Sequence, residues 1–146
     1  MIYLVKVRII LKNRLLLSPK GEQFKNEFLD IAAKQGEELL SKNTPKHTGK
    51  GANSYHIISS GDSREIRNDT YYLNPWVNDG TGIYGPRHAR ITPKHAQFLH
   101  FTYRGQEVFA RSVAGQPGKH FVERSVAEIV RSLESASVIA ARRVFG

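Results

Sequence analysis

The chain contains no cysteine in its 146 residues. That absence removes disulfides, thiolate zinc sites and cysteine nucleophiles together, and it suits a protein made in a reducing cytoplasm. Long apolar runs are missing as well. The apolar opening Ile2-Tyr3-Leu4-Val5 is broken by Lys6 and Arg8, well short of a membrane span or a signal h-region, and no other stretch replaces it. Acid is scarce relative to base: 13 Asp+Glu stand against 22 Lys+Arg, a formal charge of +9. Such a balance favours contact with nucleic acid or an acidic partner.

The groupings that carry catalysis are also lacking. The six histidines, His47, His56, His88, His95, His100 and His120, include no i, i+4 pair on a helix, and no carboxylate is spaced to join them around a metal. His88 and His95 sit in a segment already crowded with cations, which opposes binding another. Asp62, Glu65, Asp69 and Asp79 are spread over turns and strand ends rather than clustered as a nuclease would need. No Gly-x-Ser-x-Gly elbow occurs. Lys46-His47-Thr48-Gly49-Lys50-Gly51 lacks the spacing of a phosphate loop and follows a helix, so it reads as a connector. The residues therefore predict no catalytic residue, no metal and no cofactor.

What is present is a chain of ordinary apolar content and the length of a single domain. Tyr3, Val5, Val7 and Ile9 alternate with Lys6 and Arg8, which predicts a strand exposed on one face within residues 2–11. Asn13 and Arg14 suit a turn. Ser18-Pro19 starts a helix, with serine as cap and proline at the first helical position. Phe24, Phe28, Ile31, Ala32, Gln35 and Leu39 then mark its apolar stripe to about Lys42, and Asn43-Thr44-Pro45 ends it. A polar loop over 45–53 leads to a strand at 54–59, a turn at Gly61-Asp62-Ser63 and a returning strand at 64–68.

Residues 71–77 are apolar and aromatic (Tyr71, Tyr72, Trp76), though Pro75 argues against a central strand. Gly80-Thr81-Gly82 and Gly85-Pro86 predict irregular backbone, since glycine permits positive φ and proline sets the next turn. The segment 83–96 is long for an internal connection, and its Arg87, His88, Arg90 and Lys94 suit docking to a partner or DNA. Residues 97–103 and 106–113 predict a hairpin turning at Arg104-Gly105, whose aromatics Phe98, Phe101, Tyr103 and Phe109 have the chemistry to stack bases but at strand spacing suit a core or a subunit interface better. Gly115-Gln116-Pro117-Gly118 ends it. A last helix runs from about His120 to Arg143, with Val122, Val126, Ile129, Val130 and Leu133 on one face. The expected fold is a single α+β domain over residues 1–146. It is a mostly antiparallel β-sheet with two amphipathic helices packed on one face and a long loop insertion.

Several of these segments, taken in order, resemble a known family. Thr44-Pro45 and Thr48-Gly49 follow a long helix. Tyr72…Trp76-Val77 leads to Gly80-Thr81-Gly82, and Pro117…Phe121 opens the last helix. The set, covering about residues 20–135, resembles the head–tail joining or tail-completion proteins of long-tailed bacteriophages, the neck or minor tail components. Two departures stand out: the acidic residue near the turn falls at Asp79, and Gly51 occupies a position where a bulky residue often follows Thr-Gly. The resemblance implies a structural virion subunit without enzyme activity. It implies a homo-oligomeric ring, hexameric in such proteins, between the head connector and the tail terminator or tail tube, with DNA passing through. Arg87, His88, Arg90, Lys94 and Arg104 are then the candidate partner- or DNA-facing residues, on a turn framework of Gly80, Thr81, Gly82, Gly85 and Pro86. The alternative reading of the residues is a small basic nucleic-acid-binding module.

Overall fold

The computed structural model describes residues 5–12, 18–46, 49–69 and 74–146. It has an α+β fold made of β1 (Val5–Ile10), α1 (Pro19–Asn43), β2 (Tyr55–Ser60), β3 (Ser63–Asn68), α2 (Asn74–Asp79), β4 (Leu99–Tyr103), β5 (Gln106–Ala110) and α3 (Phe121–Phe145). The one domain expected from length is organised as two compact units. Residues 1–74 and 121–146 form the first, and Pro75–His120 forms the second, inserted between α1–β3 and α3. The strands likewise divide into two sheets rather than one.

In the first unit β3 lies between β1 and β2, antiparallel to both, in the order β1-β3-β2. The register aligns Val7, Ile66 and Ile57 across the sheet on one face. Lys6, Arg8, Glu65, Arg67 and His56 occupy the other face, as the alternation in β1 predicts. Tyr3 lies outside the described residues, as do Asn13, Arg14, His47, Thr48, Tyr71 and Tyr72.

Helix α1 starts where the caps predict: the Ser18 hydroxyl accepts from the Gly21 amide at 3.0 Å, and proline opens the first turn. Its stripe differs from the one expected. Leu29, Ala32, Ala33, Gly36 and Leu40 are the buried positions, while Phe28, Ile31 and Leu39 are only partly covered. The reason is that α1 is covered on two sides. It contacts all three strands and also packs along α3. Gly36 marks the tightest point, where an added β-carbon would stand 2.6 Å from Ile66 Cδ1 of the sheet and 3.2 Å from Ile129 Cδ1 of α3. Ion pairs tie the helix at its N-terminal end: Lys25 to Asp62 at 2.6 Å, and Arg64 to Asp30 at 2.7 Å.

Helix α3 runs antiparallel to α1, with Asn43 bonded to Ser125 at one end and Arg143 facing Glu27 at the other. Its buried face is Phe121, Ser125, Ile129, Ala136 and Ala140. Of the predicted stripe only Ile129 is fully buried; Val126 and Val130 are exposed, Val130 at 61%. Small residues at the contact let the two helix backbones approach closely, so the larger aliphatics are displaced toward the flank. Ser125 tolerates burial because its hydroxyl donates to the Phe121 carbonyl at 2.7 Å and accepts from Asn43 at 3.0 Å.

The loop after α1 is bound to this core by a polar cluster. Thr44 caps the helix, its hydroxyl donating to the Leu40 carbonyl at 2.7 Å. The Thr44 and Tyr55 hydroxyls share a further hydrogen bond of 2.6 Å. Asn68, fully buried, donates to the Gly51 carbonyl at 2.7 Å, and Ser41 holds the Ala52 carbonyl at 2.8 Å. The connector reading of this loop thus acquires a structural role at its second half.

Candidate functional site

The second unit carries most of the candidate residues, and its framework is a clamp between two backbone segments. Pro75, which argues against a central strand, lies instead in the short helix α2 over residues 74–79, where proline is tolerated in a first turn because its missing N–H has no helical partner there. The Gly80 amide closes the helix onto the Trp76 carbonyl at 3.0 Å. The chain then runs against residues 113–120. Lys119 N–H donates to Val77 O at 2.7 Å, His120 N–H to Asn78 O at 3.0 Å, Thr81 N–H to Gln116 O at 2.9 Å, and Ile83 N–H to Ala114 O at 2.8 Å. Thr81 acts twice, since its Oγ1 accepts from the Gln116 amide at 2.9 Å.

The glycines of the clamp are there because the two backbones nearly touch. An added β-carbon at Gly82 would fall 1.9 Å from Ala114 O, at Gly115 2.2 Å from Thr81 O, and at Gly118 2.3 Å from Asn78 O. Gly80 and Gly82 also have positive φ, of 89° and 62°. The predicted turn residues Gly80, Thr81 and Gly82 are therefore one half of a paired structure. Gly115 and Gly118 form the other half, which sequence reasoning took only as the end of a hairpin. Contrary to the expectation of wholly irregular backbone, Gly82–Tyr84 forms a single 3-10 turn. Gly85 closes that turn onto Gly82 O at 3.2 Å and is buried; Pro86 beside it is exposed.

The segment after Pro86 is tied at its middle rather than free along its length. Ile91 and Val113 exchange two backbone bonds, of 2.9 and 3.0 Å. Arg90 Nε donates to Ser112 Oγ at 2.9 Å. His88 adopts a positive φ of 48°, its amide bonded to Gly85 O at 3.1 Å. So the chain just beyond β5, rather than the hairpin strands themselves, holds this segment in place. Arg87 and Lys94 are exposed and make no ion pair among the described residues.

Strands β4 and β5 form a separate two-stranded ribbon, with Leu99 opposite Ala110, Phe101 opposite Val108 and Tyr103 opposite Gln106. Arg104 and Gly105 both have positive φ, of 50° and 78°, which is the two-residue turn whose twist matches a hairpin. Arg104 leaves the loop cluster and lies at this far tip, its guanidinium 5.3 Å from the Tyr103 ring centre. The structure thus joins Arg90 and His88 to the clamp and sets Arg104 apart from them along the ribbon. The ribbon's aromatics do not form a core: Phe98, Phe101, Tyr103 and Phe109 are all exposed, Phe109 at 66%. His100 stacks on Phe109 with ring centres 4.3 Å apart and planes within 4°, and lies 3.7 Å from Glu107.

Charge in this unit is one-sided. Arg87, Arg90, Lys94, Arg104, Arg111 and Lys119 stand against Asp79 and Glu107, a net +4. Among the described residues no group of three or more His, Asp or Glu side chains is placed to hold a metal ion, and no helix is long and apolar enough to cross a membrane. No family model, curated protein or solved structure matches the chain.

Proposed function

We propose that this chain is a structural virion protein of the phage neck or tail-completion type. In that role copies assemble into a ring, hexameric by resemblance, that joins the head connector to the tail and surrounds the DNA channel. Its places are the virion neck and, during assembly, the host cytoplasm. The supporting observation is the clamp. Residues 80–82, which carry part of the resemblance, meet the backbone of 114–118, and Gly80 pairs with Pro117, where the second resembling segment begins. Such a contact is a folding requirement rather than a reactive centre, which accords with a subunit whose work is to present surfaces.

Those surfaces are of the right kind. β1 and β2 are the outer strands of the three-stranded sheet, and β4 and β5 each have an edge with no strand beside it among the described residues. Ring closure covers such edges. Arg87 and Lys94 supply exposed positive charge suited to sequence-independent contact with DNA phosphates.

The test is assembly. Purified protein, alone and mixed with tails and with connector-bearing heads, is followed by sedimentation and electron microscopy. Closed rings, or tails and connectors capped by this chain, are expected. A chain that stays monomeric and never associates with either partner overturns the reading. If that monomer binds DNA tightly with steep salt dependence, the small basic nucleic-acid-binding module takes its place.

A further inference from the structure

Among the described residues the β4–β5 ribbon has no fully buried side chain on either face. Alternation along the strands sends Phe101 and Tyr103 to one side and His100 and Phe109 to the other, and rings on both sides are exposed, Tyr103 at 50% and Phe109 at 66%; Phe98, just before β4, is 46% exposed. A two-stranded ribbon is marginal by itself in water, and clustered exposed aromatics mark a binding surface more often than a plain exterior. The question is what chemistry they receive.

Charge selects among the candidates. The rings are accompanied by guanidinium groups, Arg104 at 5.3 Å from the Tyr103 ring and Arg111 at 5.8 Å from that of Phe98. The ribbon's one carboxylate, Glu107, faces His100 at 3.7 Å. A second copy would bring the same net positive charge to a ribbon-on-ribbon contact and be repelled. A polyanion that also offers flat apolar faces satisfies rings and cations together.

Geometry narrows it further. Side chains two residues apart on one face of a strand are separated by about 6.8 Å, twice the strand rise. That is about two base-stacking steps of 3.4 Å, so the Phe101 and Tyr103 positions have room between them for one base. On the other face the His100–Phe109 pair shows that the ribbon holds rings in parallel stacks, and Phe109 leaves most of its surface open to extend one. Bases inside a duplex are already stacked and would leave these rings unused.

We propose that the β4–β5 ribbon is a stacking platform for single-stranded nucleic acid. Phe101, Tyr103 and Phe109 receive bases, while Arg104 and Arg111 meet the phosphates between them. This goes beyond the ring reading and does not depend on it, because the ribbon belongs to one chain and the ring's DNA contact needs only cations.

The test is fluorescence anisotropy of the full chain with labelled oligo(dT), oligo(rU) and a duplex of equal length, across a salt series. Both single strands are expected to bind more tightly than the duplex, and the ratio between them tells DNA from RNA. Phe109→Ala and Tyr103→Ala are each expected to weaken single-strand binding about tenfold and to leave duplex binding unchanged. Phe109→Trp is expected to retain binding. Arg104→Gln is expected to weaken both and lower the salt slope by about one. Because Phe109 and Tyr103 are exposed, the alanine variants should keep the wild-type circular dichroism, which is checked first. The proposal is overturned if the alanine variants bind single strands like wild type, if no oligonucleotide binds at low salt, or if single strand and duplex bind alike. It is also overturned if Phe109→Ala changes only the sedimenting mass, which would make the ribbon a contact between copies. Tighter, Phe109-dependent binding to vesicles of anionic lipid would overturn it in favour of a membrane surface.

Discussion

Gly82→Ala is the substitution that most directly tests the clamp. Gly82 has φ 62°, so any side chain there costs about 1–2 kcal/mol for the left-handed conformation alone. The larger effect is steric. The new β-carbon would fall 1.9 Å from Ala114 O, a backbone atom that cannot rotate aside. The two segments must separate, which breaks the Ile83–Ala114 bond and strains the reciprocal Thr81–Gln116 pair. At about 0.5–1.5 kcal/mol for each bond lost, two or three losses bring the total to roughly 2–6 kcal/mol. Gly105→Ala is the matched control: its φ is 78°, but nothing lies within 4 Å of the added carbon, so only the backbone penalty applies. Amide hydrogen exchange reads the difference locally. The Thr81 and Ile83 amides should exchange about a hundredfold faster or more in Gly82→Ala, while Gly105→Ala should leave them near wild type. Equal protection of those amides in the two variants would refute the clamp.

Three further predictions concern the first unit. Gly36→Ala should be neutral or destabilising despite a helix-propensity gain of about 1 kcal/mol, because its β-carbon meets Ile66 Cδ1 at 2.6 Å. Ile66→Val removes that atom, so denaturant titration of the double variant should reveal a favourable coupling of about 1–2 kcal/mol; simple additivity counts against α1 lying between sheet and α3. Burial pushes the Tyr55 hydroxyl above its ordinary value of 10.0, with the Thr44 and Asn68 hydrogen bonds partly opposing it. The folded state thus favours the protonated phenol, and this contribution is whole below pH 10.0 and lost as pH climbs through the folded value. Tyr55→Phe should cost about 1 kcal/mol at neutral pH and flatten the alkaline limb of a stability–pH curve; an unchanged limb would disprove the assignment. Burial would raise the Glu65 carboxyl, but the Arg67 hydrogen bond with the charges of Arg67, Lys6 and Arg8 outweighs it and holds the group below its ordinary value of 4.5. Its contribution is present above that value and lost as pH falls through the folded one, so Glu65→Gln should lower the melting temperature at neutral pH and shrink that gap in acid.

Much of the first unit was legible because its signals are local. Ser18-Pro19 names a helix start through groups within one turn, and the alternation of β1 sorts its faces by itself. At the Arg104-Gly105 turn Gly105 supplies positive φ freely, and Arg104 adopts it beside that glycine. The misreadings share a cause. The expected stripes were Phe24, Phe28, Ile31, Ala32, Gln35 and Leu39 in α1 and Val122, Val126, Ile129, Val130 and Leu133 in α3; of these Ala32 and Ile129 are buried, and Ala33, Gly36, Ala136 and Ala140 are buried as well. Hydrophobicity does not distinguish a small residue at a close helix contact from one on a solvent face. The ribbon's aromatics are expected in a core or a subunit interface; within the single chain they are exposed, and strand spacing does not reveal whether a second layer covers them.

Of the candidate site, the sequence alone determined the charge and some of the backbone permissions: an excess of cations over residues 84–124, and glycines at 80, 82, 105 and 115, where φ turns positive. Those are properties a residue carries with it. Which glycines face each other was decided only in three dimensions. Gly82 and Gly115 are far apart in the chain, and beyond their positive φ their need for a missing β-carbon arises because the Thr81–Gly82 and Ala114–Gly115 backbones meet closely. The separation of Arg104 from His88 and Arg90 has the same origin. Pairing of β4 with β5 carries the turn to the ribbon's tip, while the Ile91–Val113 bridge holds the loop at the other end.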